Sequence, residues 1–268
     1  MRTIRQPGPV AAARALAVPC SVEPVELHLK AGLTINDAIA QAHGMEGFSG
    51  YLDLSGVPLA PLDYVIPGEA PDADHVAWYS QTHSLDKATI ERAGAIVGTR
   101  DGAPFLHCHG EWAGRMGHLL PLDSIVASDC VVTGLKMEGA RFAVEENSET
   151  NFRLFAPKRT ETTAKPDGFA LVLRPNEPVL DAIEAVCARN SVERARIFGV
   201  GSTIGARFAD GSEVASFATE VLVTDGRYEN GRCDLDIAIV GLDGAVRHGR
   251  LARDVAVLIT FELVVHAV

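Results

Sequence analysis

The chain has 268 residues, 47% of them hydrophobic, which is enough to bury a sizeable core and, by length, about two domains. Its 24 Lys and Arg against 35 Asp and Glu give a formal net charge of −11, and because affinity for nucleic acid comes mainly from cations that neutralise phosphates, this balance argues against a nucleic-acid partner. The five cysteines (Cys20, Cys108, Cys130, Cys187, Cys233) are odd in number, widely spaced and free of any CxxC pair, which points to a reducing compartment, the cytoplasm by default, rather than a disulfide framework.

In chain order, "MRTIRQPGPVAAARALAVPC" carries early arginines and alanines that faintly echo a signal peptide, but Arg14 and the prolines interrupt its apolar part and Pro19 stands before Cys20. Residues 1–24 are expected to form an extended arm. "LTINDAIAQAHG" then places Thr34 before an apolar pattern at Ile35, Ala38 and Ile39, which predicts an amphipathic helix. A glycine-punctuated strand region, "GYLDLSGVPLAPLDYVI", follows.

"PFLHCHGEWAGRMGHLLP" (104–121) concentrates three of the nine histidines on what reads as one β-hairpin. His107 and His109 are two apart and share one strand face, the polar one, while Leu106 and Cys108 face the other way. A two-residue turn at Ala113 and Gly114 sets His109 directly opposite His118, with His107 as diagonal neighbour. Three converging imidazoles suit zinc or a similar divalent metal, and three protein ligands with an open fourth position is the arrangement of catalytic zinc. The competing reading is a surface cluster of hydrogen-bonded histidines.

The polar, proline-containing stretch "FAPKRTETTAKPDGF" (155–169) lacks hydrophobic periodicity and predicts a linker, taken as residues 157–168. Beyond it "PVLDAIEAVCAR" repeats the helical pattern at Val179, Ala182, Ile183 and Val186, and shares Asp-Ala-Ile with the first helix. "GVGSTIG" lacks nucleotide-loop spacing and follows a helix rather than preceding one, so its glycines are read as a bulge or close strand packing. In "CDLDIAIVGLDGAVRHGRLA", Asp234 and Asp236 take the places of His107 and His109, and Arg250 that of His118. A three-residue loop at Leu242 to Gly244 pairs Asp236 with Arg250, an ion pair where the first hairpin has histidines. Magnesium on Asp234 and Asp236 is the minority reading, and His248 is expected to be exposed. The apolar run "DVAVLITFELVV" is too short to span a membrane, which takes roughly 18 apolar residues, and is interrupted by Glu262. It is expected to be a buried strand.

The chain thus reads as a tandem repeat of one small α+β unit. The HxH with a following Gly-His-Leu, together with "AGAIVG", "TGL" and "FAVEENSETNFRLFAP", resembles the prokaryotic form of the plants-and-prokaryotes-conserved (PPC) domain family. The resemblance covers about residues 25–156 and, more weakly, 169–268, where "ARIFGVGSTIG" carries it. It implies an α+β fold of two PPC-like domains, 25–156 and a degenerate 169–268, each a curved, mainly antiparallel β-sheet with one main helix. It further implies assembly as a homotrimer and a metal on His107, His109 and His118. Plant relatives bind DNA through a separate AT-hook, whose Arg-Gly-Arg-Pro core does not occur here.

The expected function is that of a metal-dependent enzyme, with zinc as the first candidate, acting on a small polar or carboxylated metabolite. Glu111, Glu149 and His83 are the candidate general acids or bases, and Arg92 and Arg153 the candidate carboxylate clamps. Each also has an ordinary surface or hydrogen-bonded reading. Trp112 either lines a pocket or packs against a neighbouring subunit. The alternatives are a non-catalytic ligand-binding protein with a coordinately closed site, and a DNA-binding regulator of the PPC family.

Overall fold

A computed structural model describes residues 1–44, 48–162 and 164–268. Thr163, within the expected linker, lies outside the described residues.

The two helical patterns fold as expected. Helix α1 (Ile35–His43) starts at Thr34, whose side chain accepts from the Asp37 N–H, and buries Ile35, Ala38 and Ile39. Helix α2 (Val179–Arg189) follows Pro178 and buries a wider face that includes Leu180, Val186 and Cys187. No helix among the described residues is long and apolar enough to cross a membrane.

Everything else of size is sheet, almost all antiparallel. One continuous path runs from Val246–Arg250 through Arg232–Gly241, Thr219–Glu229, Arg194–Thr203, Val257–Ala267 and Gly168–Leu173. It then crosses Ala15–Leu29 and continues through Cys130–Glu138, Gly50–Asp53, Arg92–Arg100, Ala103–Trp112 and Arg115–Leu119 to Leu62–Val65 and His83–Leu85. The crossing strand differs from the expected arm. Residues 15–20 pair with Gly168–Leu173 and residues 21–29 with Cys130–Glu138, because the Ala/Val tract around Pro19 matches the apolar partner "FALVL".

Three apolar clusters explain the layering. One, beneath α1, is built only from the first half, with Leu106, Cys108 and Trp112 of the histidine strand in it. A second lies mainly beneath α2 in the second half. The third joins the opposite sheet faces, with Tyr51, Ile96 and Phe142 meeting Val200, Leu222 and Val264. Each half-sheet therefore carries its helix on one face and the other half-sheet on the other. The apolar run near the C-terminus is the buried strand Val257–Ala267.

Candidate metal centre

The histidine hairpin forms in the expected register. Ala113 (φ 49°) and Gly114 (φ 69°) occupy the left-handed conformations of a two-residue type I′ turn, and His109 pairs with His118 across it. Leu106 and Cys108 point to the core under α1, so His107 and His109 point the other way. That face is covered rather than solvated: His109 is fully buried and the His107 side chain is 14% exposed. The covering surface is the second half of the chain.

Two glutamates come from that surface. The Nδ1 of His107 lies 2.7 Å from the Oε2 of Glu262, on Val257–Ala267. The Nδ1 of His109 lies 2.9 Å from the carbonyl oxygen of Val221, and its Nε2 lies 2.9 Å from Glu220 Oε2. The strand carrying Glu262 packs closely on its neighbour at a glycine, where a Cβ at Gly199 would meet the Glu262 carbonyl oxygen at 2.0 Å.

These partners determine the tautomers. A carbonyl and a carboxylate only accept, so both Nδ1 atoms donate, and the Nε2 lone pairs of His107 and His109 are turned toward each other at 3.0 Å. Two lone pairs and the Glu220 carboxylate in contact are reconciled by a proton or a metal cation among them. His118 adds a buried Nδ1 with no hydrogen-bond partner among the described residues. One nitrogen from each of the three histidines falls within 4.8 Å of the others. The donor set therefore fits a divalent metal, with the outer nitrogens held by a carboxylate and a carbonyl as metal-ligating histidines usually are.

Charge separates the three rings. Burial opposes protonation of His107, but the carboxylates of Glu262 and Glu220 outweigh it and raise its pKa. Burial, and then the proximity of His107 and His109, hold His118 well below the ordinary histidine value.

A cavity of about 350 Å³ opens onto His107, His118, Glu220 and Glu262. Arg153 lines it and is paired with Asp101 (2.5 Å) and Glu146 (3.4 Å). The other residues singled out in the sequence have different neighbours. Glu111 meets His248 Nε2 at 2.7 Å and Arg92 at 3.7 Å, at the turn end of the hairpin and away from the cavity lining. Glu149 is buried with Arg14 at 2.8 Å, and His83 stacks on Tyr64 at 5.1 Å. Trp112 is fully buried against Tyr64 in the core, since its strand position puts it on the α1 side. In the second hairpin Arg250 grips Asp236 with Nε and Nη2 both at 3.0 Å, in the expected register.

Glu220 and Glu262 were not singled out as site residues from the sequence. Glu262 carries a signal, as the one charged residue in "VLITFELVV", all of which is strand. Glu220 carries none, since "ATEVLVTD" reads as any half-polar strand.

No family model matches the chain, and no curated protein does. Solved structures do. The PPC protein of Pyrococcus horikoshii matches with a TM-score of 0.36 at 14% identity, covering 53% of this chain and 96% of that one. The metal-containing protein AF0104 of Archaeoglobus fulgidus matches with a TM-score of 0.37 at 19% identity, covering 52% and 97%. A hypothetical protein of Salmonella enterica matches with a TM-score of 0.34 at 23% identity, covering 41% and 83%.

Proposed function

We propose that this chain is a tandem PPC-like protein that holds one divalent metal, zinc first, on His107, His109 and His118, and that it is a metal-dependent enzyme for a small carboxylated metabolite. The observation that carries the reading is the convergence of two Nε2 atoms at 3.0 Å while both Nδ1 atoms are already engaged. When bound, the metal would supply a Lewis acid or lower the pKa of a water molecule.

The chain's own residues divide the remaining work. Glu262 orients His107, the Val221 carbonyl orients His109, and Glu220 stands beside His109 with its carboxylate on the cavity wall. Glu220 is the group best situated to take or return a proton at a bound substrate. Arg153 lines the same cavity with its guanidinium held by Asp101 and Glu146. Two PPC-like domains in one chain, with the second supplying both glutamates, account for a single histidine site per chain.

Metal content measured by mass spectrometry on protein purified without an affinity tag tests this reading. About one zinc or similar ion per chain is expected, lost in a His107→Ala, His109→Ala double variant that keeps its circular dichroism. Wild-type protein that takes up no metal even after incubation with zinc overturns it. The net charge of −11 weighs against the DNA-binding alternative.

A further inference from the structure

The cavity is longer than the histidine centre, and its far end has a chemistry of its own. Phe105 and His107 are successive residues on the same strand face, so they stand about 7 Å apart along the strand. Beyond Phe105, the guanidinium carbon of Arg100 sits 5.1 Å from the centre of its ring. Arg100 lines the cavity and forms no ion pair or hydrogen bond among the described residues, although the neighbouring Asp101 carboxylate feels its charge, whereas Arg153 is in direct contact with Asp101 and Glu146.

Aromatic rings form the walls between the two ends. Phe155 lies 6.1 Å from Phe105, and Phe152 stacks on Trp78 at 5.2 Å. At the histidine end Tyr79 closes on His118 at 5.2 Å. The order along the cavity is thus an unpaired guanidinium, a stretch walled by aromatic rings, and then imidazoles and a carboxylate. A small, fully polar metabolite leaves the aromatic stretch wet. An acid with a flat apolar body fills it, stacks on the rings and reaches the guanidinium with its carboxylate.

We infer that the cavity binds an aromatic carboxylic acid, its carboxylate on Arg100, its ring laid against the wall that Phe105 and Phe155 form together, and a second oxygen group presented to the histidine centre one ring-length away. The position of that second oxygen rests on the metal reading above; the carboxylate and ring positions do not. Arg100 is thereby assigned as the specificity-determining residue of the site.

The probe is 4-hydroxyphenylacetate, which carries its hydroxyl across one ring from its carboxylate, titrated calorimetrically into zinc-loaded and metal-stripped protein. Comparison titrations use its neutral amide, phenylacetate without the hydroxyl, and lactate as the small polar control. In both protein forms the acid is expected to bind at least about tenfold more tightly than the amide, the gain of a charge-assisted contact over a neutral one. Lactate is expected to bind worse than either. An exposed Arg100→Gln variant is expected to keep its melting temperature and metal content and to lose the preference for acid over amide. The hydroxyl is expected to matter only in the zinc-loaded form.

An amide that binds as well as the acid, an Arg100→Gln variant that still prefers the acid, or lactate binding as tightly as the aromatic acid overturns the inference. If the protein takes up no zinc, the metal reading fails by itself, and the acid, amide and Arg100→Gln titrations on metal-free protein still decide the ligand class.

Discussion

Replacing Glu262 with glutamine keeps the shape of a buried side chain and an oxygen for His107 Nδ1 to donate to, and removes only the charge. Glu262 is 1% exposed and lies 2.7 Å from that nitrogen. Groups that hold the outer nitrogen of a metal-ligating histidine typically contribute about 10- to 100-fold in metal affinity, roughly 1.4 to 2.7 kcal/mol. Zinc affinity, read by competition with a chromophoric chelator, is expected to fall by that factor in Glu262→Gln.

Glu262→Leu goes further, because it leaves a buried N–H without an acceptor. It is expected to lower the stability of the metal-free protein by about 1 to 3 kcal/mol in urea unfolding. The pH dependence provides an independent check. His107 is raised in the folded state, against burial, by Glu262 and Glu220, so its contribution is complete below the unfolded histidine pKa of about 6.5 and is lost as pH climbs through the raised value. Metal-free Glu262→Gln should lose stability less over that rise than wild type does. Wild-type zinc affinity in Glu262→Gln would refute the view that the Glu262 charge strengthens His107 as a metal ligand.

His118 has the opposite sign: held well below its ordinary value, it costs the metal-free protein stability as pH falls below about 6.5. His118→Gln should flatten the acid limb of a stability-against-pH curve, and an unchanged limb counts against the burial of that ring. Ala113 holds a left-handed conformation (φ 49°) that disfavours an L side chain by about 1 to 2 kcal/mol. Ala113→Gly is expected to recover part of that, with an increase of about 1 kcal/mol in urea unfolding and no loss of metal. Burial pushes the Cys20 and Cys187 thiols up to about 12, so an aromatic disulfide reagent at pH 8 should modify the half-buried Cys130 first and the others only on unfolding.

Local chemistry made much of this molecule legible in advance. The register of both hairpins follows from turn residues that accept positive φ, Gly114 in one and Gly244 (φ 70°) in the other, and with it the pairs His109–His118 and Asp236–Arg250. Both helices follow from apolar spacing around a shared Asp-Ala-Ile. What could not be read was any relation between distant strands. The histidine strand shows a polar face, but a buried polar face and a solvated one have the same alternation, and only the packing of the two halves distinguishes them. Trp112 was assigned no side for the same reason, and Glu262 registered as a break in an apolar run before its partner His107 was known. The first crossing strand was missed because an apolar tract interrupted by Pro19 has weak strand character until Gly168–Leu173 is beside it.

That crossing strand bears on how the molecule is made. Residues 15–29 are synthesised well before either strand they pair with, and their two sets of backbone partners appear at different times, Cys130–Glu138 first and Gly168–Leu173 later. Until then the nascent chain carries an unpaired, partly apolar edge, the kind of segment that invites mispairing and chaperone attention. Glu262 is made later still, on a strand that pairs with Gly168–Leu173. The enclosed histidine centre is therefore a late product of biosynthesis, and a metal ion caught there would seal a completed fold rather than nucleate one.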